Sequence, residues 1–479
     1  MNGSIYVSSE TARLRSVLIH SPDSGLGKVV PSKAQDWLFE DIVHLDTIRK
    51  EEYDYYIKLL LYFLDEGKIR GRLATIDAPE NDRGFYKPDH PDFHRSDKVI
   101  ELQVLLTDIL QNEAIKSQLV ASVCAIEACS YEIQRELMGY PADALARVFF
   151  SGTYNETELI FPPIPNFIFT RDIGIVINDH ILLNKPQKEA RKREALIAKY
   201  IFFHHPVFSA YRDNIIELTD TQHHFLLPND AEAERVTLEG GDVMVVCHNH
   251  VLIGISERTS REAAAQTVKR LFEKNVVNKA TLVKIPHKRD YMHIDTLFTQ
   301  IKRDTWVLLG EFSNARMKGL QSDELHRALR LQNRQADGLE ILQFEKGNLA
   351  RPRTFYSLEE LLVDVSVQDL GCPRHSVRII YSGNGEFPYD VREQWTDSCN
   401  LLAVKEGVVL GYDRNDRTAA AFRDAGFSVI GVQQLLADLE SGRTDTDRLT
   451  DTLVLMPSAE LSRARGGFHC MSMPLLRDR

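Results

Sequence analysis

The sequence predicts an α/β protein assembled from repeated units. Two observations point there. An apolar strand, a short polar turn, a second apolar strand, a charged break and an amphipathic helix recur along the chain. Acidic or imidazole residues stand at the starts of several of these units. A third observation qualifies the first two: residues from about 45 to 155 break the pattern and read as helical.

The clearest unit runs from Asp242 to Phe272. Val243-Met244-Val245-Val246 leads through the turn Cys247-His248-Asn249 into Val251-Leu252-Ile253-Gly254-Ile255. Thr259-x-x-Glu262 then offers a capping box, and Ala264, Val268, Leu271 and Phe272 follow at helical spacing. A second unit begins at Asp172, with strands Ile173–Ile177 and Ile181–Leu183 around Asn178-Asp179 and a helix through about Phe202. A third begins near Asn400, with Leu401–Val404, the turn Lys405-Glu406-Gly407, and Val408–Leu410. There Asp416 is placed to cap a helix that Gly426 ends, and Phe427–Val432 is the closing strand. Weaker copies are His293–Leu309, around Lys302-Arg303-Asp304, and the single strand Ser16–His20.

Such units cannot bury their apolar faces alone. Five of them fit a ring of five modules about an axis. An open mixed α/β sheet is compatible with the same strands. The expected division is a catalytic α/β body from 1–45 and 156–479, interrupted by a helical insertion at 46–155. Within the insertion, 77–97 reads as a loop, and 433–460 reads as a second irregular stretch.

Composition narrows the function. Hydrophobic residues make up 43% and charged residues 27%, as in a soluble globular protein. The net charge of −11 disfavours a generic nucleic-acid binder and suits a cationic small substrate. Six scattered cysteines without CxxC spacing fit a reducing compartment, and the first residues lack the apolar stretch of a secretory signal. The longest aliphatic-aromatic run, Leu59–Leu64, is far short of the roughly 20 residues that span a bilayer. A cytoplasmic protein with no membrane partner is expected. The close histidine groups, His204-His205, His223-His224 and His248-x-His250, lack metal-site spacing, so no metal is expected.

The chemistry-bearing residues lie at unit starts and near the C-terminus. Asp172 ends Phe169-Thr170-Arg171-Asp172, Glu239 and Asp242 flank a glycine pair, and His293-Ile294-Asp295 would share one strand face. Cys470 follows Arg465-Gly466-Gly467 and adjoins His469. A lone cysteine is ordinarily a small buried hydrophobe. Here neighbouring positive charge would favour its thiolate. Two carboxylates without a metal suit a planar cation, and guanidinium presents N–H groups in a matching fork. A thiolate above that plane could attack the central carbon, with a histidine as general acid and base. Asp172 beside Arg171 also reads as a surface ion pair, and Glu-Gly-Gly-Asp as a plain turn.

PNFIFTRD (165–172), LEGGDVMV (238–245), GISERTS (254–260), HIDTLF (293–298), REQW (392–395), CNLLAVKEGVVLGYDRN (399–415) and RGGFHCMSMP (465–474) resemble the bacterial arginine deiminase family. The resemblance runs from about 165 to the C-terminus, with an echo in RLRSVLIHSPDSGL. It implies a five-module α/β propeller, pentein-like, with a helical insertion. It implies hydrolysis of free L-arginine to L-citrulline and ammonia, with no metal or organic cofactor and with assembly into a homo-oligomer. By residue, it implies Cys470 as nucleophile, His293 as acid and base, Asp172 and Asp295 on the guanidinium, and Glu239 supporting His293. Arg465 and Arg191 would take the substrate carboxylate, and Asn166, Phe169, Arg258 and Gly467 would line the pocket. Related alternatives are an arginine dihydrolase, an amidinotransferase and a non-catalytic arginine-binding paralogue. The chain departs from the family in its N-terminal third, in 77–97 and 433–460, and at Phe468, expected to crowd Cys470.

Overall fold

A computed structural model describes residues 4–479 except 35, 38, 40, 155–156, 221–224, 226–234, 288–289 and 314–338. His223 and His224 lie outside the described residues. Among the described residues the architecture is mixed α/β, with five separate sheets.

All five sheets share one kernel. Two strands pair antiparallel, and a third lies parallel to the second of them. In the second sheet these are Gly174–Ile177, His180–Leu183 and Ile215–Ile216. The third sheet has Val243–Cys247, His250–Ile255 and Lys279–Lys284, and the fourth Phe298–Lys302, Thr305–Leu309 and Arg378–Ser382. The fifth has Leu402–Lys405, Val408–Tyr412 and Thr452–Met456. The hairpins form where the apolar runs and local turns place them. Asn178 holds its turn at φ 52°, a left-handed conformation that asparagine tolerates.

The first sheet obeys the same rule with distant partners. Leu14–Ile19 pairs antiparallel with the C-terminal strand Met473–Arg477 and parallel with Val99–Glu101. Val17, Leu18 and Ile19 are all buried, because both faces of this strand are covered. The single N-terminal strand thus finds its antiparallel partner at the far end of the chain, next to Cys470. Val99–Glu101, read as helical, is a strand.

The stretch 433–460 is not irregular. It holds the helix Val432–Glu440 and the strand Thr452–Met456. Val432, Leu435, Leu436 and Leu439 are buried at helical spacing, next to a polar run that masked the pattern. The strand Ser428–Gly431 therefore sits at the sheet edge, paired to Thr452–Met456 and not to the hairpin. Two further strands, Glu340–Glu345 and Arg353–Phe355, extend the third sheet.

Two caps also differ. Ser260, one residue after Thr259, caps Arg261–Glu273 by accepting from Ala263 N. Thr259 Oγ1 instead accepts from Glu239 N at 3.2 Å. Asp416 is already helical, and the buried carboxylate of Glu393 accepts from the N–H groups of Arg417 and Thr418.

Neighbouring sheets touch through their first and last strands and their entry turns. Met473–Arg477 lies against Gly174–Ile177, Leu14–Ile19 against Leu402–Lys405, and Leu402–Lys405 against Phe298–Lys302. The turn Gly240–Asp242 meets both Thr170–Ile173 and Ile294–Thr296. Helices Asp54–Leu64, Leu102–Leu110, Glu113–Ile126, Tyr131–Gly139 and Ala142–Ser151 fill most of the N-terminal third. Asp54–Leu64 is buried almost all round and packs on Val432–Glu440. Among the described residues no helix is long and apolar enough to cross a membrane.

Because Met473–Arg477 completes the first sheet, trimming its core side chain tests the pairing. Leu475 is buried among residues of both strands and of the helices. Leu475→Ala is expected to lower stability by about 2–5 kcal/mol in urea titrations, the usual range for a buried leucine.

Candidate active site

Three short 3-10 turns deliver most of the site. Thr170–Ile173, Gly240–Asp242 and Ile294–Thr296 each precede the first strand of a sheet. They bring Asp172, Glu239, His293 and Asp295 together, all buried. His293 and Asp295 do not share a strand face. His293 is extended at the mouth of the turn and Asp295 lies within it, so the turn aims both inward. Gly241 permits this approach, since a Cβ there would lie 2.5 Å from His293 Nδ1.

Cys470 arrives from the loop between the Leu461–Ala464 turn and the C-terminal strand. Its Sγ lies 3.6 Å from Asp295 Oδ2 and 3.2 Å from Asn400 Nδ2, and its N–H donates to Asn400 Oδ1 at 3.0 Å. Gly467 packs on the same asparagine, where a Cβ would meet Asn400 O at 2.4 Å. Asn166, Phe169, Asp172, Arg191, Glu239, Arg258, His293, Arg465 and Cys470 line one narrow cavity with Met292, Thr296 and Asp397. Gly467 stands behind that wall, and Asp295 reaches the thiol from the side. Larger cavities of about 690 and 860 Å³ lie elsewhere, and neither is lined by a cysteine or a histidine.

The acids are half engaged. Arg191 Nη1 donates to Asp172 Oδ2 at 2.9 Å and to Glu239 Oε2 at 3.1 Å, and its Nε donates to Glu194 Oε2 at 2.9 Å. Glu239 Oε2 also meets His293 Nε2 at 3.0 Å. Asp172 Oδ1, Glu239 Oε1 and Asp295 Oδ1 are buried without hydrogen-bond partners among the described residues. All three guanidinium nitrogens of Arg465 are likewise unpaired, with its Cζ 3.9 Å from the Trp395 ring centroid. Arg258 Nη2 approaches Met292 Sδ at 3.6 Å and its Nη1 lies 3.9 Å from Glu239 Oε1.

A buried relay supports Asp295. His469 Nδ1 meets Asp295 Oδ2 at 2.9 Å, and His469 Nε2 meets Glu10 Oε2 at 3.2 Å. Glu10 is also held by Arg171 Nη2 at 2.6 Å. Arg171 therefore forms no surface pair with Asp172. Burial, though unfavourable, is outweighed by Arg171 and His469, which hold Glu10 far below the usual carboxylate range.

These charges set the titration states. Burial pushes the Cys470 thiol well up, and Asp295, Asp172 and Asp397 push it further. The expected thiolate is thus overturned in the free site, because acids and not cations are its nearest charges. For His293, burial favours the neutral ring, but Asp172, the hydrogen bond to Glu239 and Asp242 outweigh it and raise it to about 10. Glu239 is the counterpart: burial opposes its charge, yet Arg191 and His293 lower it to about 2. Asp172, Glu239 and His293 offer atoms within 4.8 Å of one another, a spacing that could hold a metal. In this structure Asp172 Oδ2 and Glu239 Oε2 already share the Arg191 guanidinium, and Glu239 Oε2 also meets His293 Nε2, so the set holds an organic cation here.

Phe468 does not crowd the thiol. Its ring points into the core between Tyr56 and Tyr412. Four contributors went unread in the sequence: Asn400, His469 as a ligand of Asp295, Glu10 and Arg171. Asn400 occupies the place in its unit that Asp172 and Asp242 occupy in theirs, and that position was the available signal.

Residues 141–477 match the family model described as arginine deiminase. This chain belongs to the arginine deiminase family. An arginine deiminase from Borrelia duttonii is 29% identical over 482 residues, spanning 99% of this chain and 98% of its own. One from Latilactobacillus sakei is 30% identical over 485 residues, spanning 100% and 99%. Among solved structures, SxtG, an amidinotransferase from Microseira wollei, aligns over 99% of this chain and 98% of its own with a TM-score of 0.49 and 12% identity. The family match includes every candidate from Asn166 to Cys470.

His293 yields a signed prediction. Its folded value of about 10 lies above the ordinary 6.5, so its contribution to stability is complete below pH 6.5 and is lost as pH rises toward 10. Wild-type stability is expected to decline across that window, and His293→Gln is expected to flatten the decline in urea titrations.

Proposed function

We propose that this protein hydrolyses free L-arginine to L-citrulline and ammonia through a covalent Cys470 intermediate. The observation that carries the reading is the set of unpaired buried oxygens on Asp172, Glu239 and Asp295 around one thiol and one imidazolium. Buried charges require partners. A substrate guanidinium supplies N–H donors in the plane these acids define.

Binding of that cation offsets the negative field that keeps Cys470 protonated. The thiol proton then leaves by way of Asp295, the acceptor 3.6 Å away. The thiolate adds to the guanidinium carbon, forming the C–S bond. The His293 imidazolium donates to one departing nitrogen, and the C–N bond breaks to release ammonia. Neutral His293 next takes a proton from water, and the hydroxide adds to the same carbon. The C–S bond breaks and the hydroxyl proton is lost, leaving the ureido group of citrulline. That proton converts ammonia to ammonium, and the proton that left through Asp295 returns to the Cys470 thiolate. Asp172, Glu239 and Asp242 favour the charged form of His293 at the start and end of each turnover.

Substrate choice rests with the arginines. Arg465 offers three unpaired buried nitrogens and Arg191 retains Nη2. Such cations suit the α-carboxylate of a free amino acid and leave agmatine, which lacks one, poorly bound. In this reading the five sheets are the modules of a propeller around the site, 1–45 and 156–479 form the catalytic body, and 46–155 is the insertion that lends it Val99–Glu101.

Purified protein is expected to release one citrulline and one ammonium per arginine, and to leave agmatine untouched. Cys470→Ser should lower turnover by roughly 10⁴-fold or more. Two ammonium ions per arginine would assign a dihydrolase instead. Folded protein that turns over no arginine across about pH 5 to 9 would overturn the reading.

A further inference from the structure

The loop that carries Arg465 and Cys470 is gripped from behind by a helical segment distant in sequence. Glu52 belongs to the π-helical turn Ile48–Tyr53, a rare geometry that recurs at functional sites. Its two carboxylate oxygens accept from the N–H groups of Glu460 and Leu461 at 2.8 and 2.6 Å. Those amides open the Leu461–Ala464 turn, which runs directly into Arg465. Near one turn beyond Glu52, the Tyr56 ring lies 5.0 Å from Phe468, whose other neighbour is Tyr412, also at 5.0 Å. The Tyr412 hydroxyl donates to Gly466 O at 2.7 Å. The loop is therefore clamped before Arg465 and again before Cys470.

Between the clamps, Arg465 sits at φ +59°, a region that side chains other than glycine seldom adopt. Such a conformation persists only when its surroundings over-determine it. Glu52 is a buried carboxylate: burial raises it above its ordinary value, the N–H groups of Glu460 and Leu461 pull it down, and the acids Glu460 and Asp413 raise it again.

We propose that Glu52 and Tyr56 are positioning residues that fix Arg465 and Cys470 for reaction, an inference that rests on the roles given to those two above. The helical segment thereby acts on the chemistry without touching substrate.

The test compares the full-length protein with Glu52→Gln, Tyr56→Leu, Tyr56→Phe and a control, Leu106→Ala, buried in a different core cluster. Glu52→Gln keeps the shape but sets an amide N–H2 against a backbone donor. It should raise KM for arginine about tenfold with kcat within about twofold, as misplacement of a binding group by a fraction of an ångström does. Amides 460 and 461 should exchange hydrogen at least about tenfold faster. Tyr56→Leu should speed Cys470 alkylation by iodoacetamide under conditions where the protein stays folded, and Tyr56→Phe, which keeps the ring, should restore the slow wild-type rate. Leu106→Ala should lower the melting temperature and leave KM and exchange at 460–461 unchanged. The proposal is overturned if Glu52→Gln behaves like Leu106→Ala, or if Tyr56→Leu leaves alkylation unaltered. Absent arginine turnover in wild type would sink the functional reading alone, since exchange and alkylation still decide the clamp.

Discussion

The guanidinium of Arg191 joins three carboxylates that would otherwise repel one another in a buried space. It reaches Asp172 from the entry turn of the second sheet, Glu239 from that of the third, and Glu194 from its own helix. Each of these acids is buried. Without the bridge, the Asp172 and Glu239 carboxylates would face one another across the gap that Arg191 Nη1 spans. With it, burial and neighbouring acids still lift Glu194 to about 7, so that Arg191 is shared among more charge than it can neutralise. The entry turns of two sheets are thereby fixed to one another, and the remaining negative charge is left facing Cys470 and His293.

That residual field explains the resting chemistry. A nucleophilic thiol is usually primed by cations. Here the acids do the reverse, holding the thiol neutral and the imidazole charged. The same electrostatics that suppress the thiolate in the free site would favour it once a cation sits between Asp172 and Asp295. Under the proposed function, activation by the substrate's own charge would protect Cys470 until there is something for it to attack. The Glu10–His469–Asp295 relay supports this design, because it keeps Asp295 ionised in a buried position.

The repeated hairpins were legible because their signals are local. An apolar run, a polar turn and a second run identify themselves, as at Val243–Ile255. The joining of Leu14–Ile19 to Met473–Arg477 was not legible, since neither strand carries a mark of its partner. The Val432–Glu440 helix was hidden by its short length and its polar neighbour. Acids and the histidine at unit starts could be read from position, and the family motifs extended that reading to Arg191 and Arg258. Orientation could not be read. The strand assigned to His293 and Asp295 proved to be a turn, and Phe468, adjacent to the thiol's histidine, faces away from the pocket. Asn400 went unread because an amide suggests no chemistry until the thiol is seen beside it.

The direct measurement is the pH dependence of Cys470 alkylation, followed by mass spectrometry, with and without a simple guanidinium salt. The account predicts slow reaction of the free protein until pH exceeds 9, the ordinary thiol value, and a shift of the profile to lower pH when guanidinium is bound. A Cys470 that reacts as a thiolate near neutrality in the free protein, or a profile that guanidinium leaves in place, would contradict it.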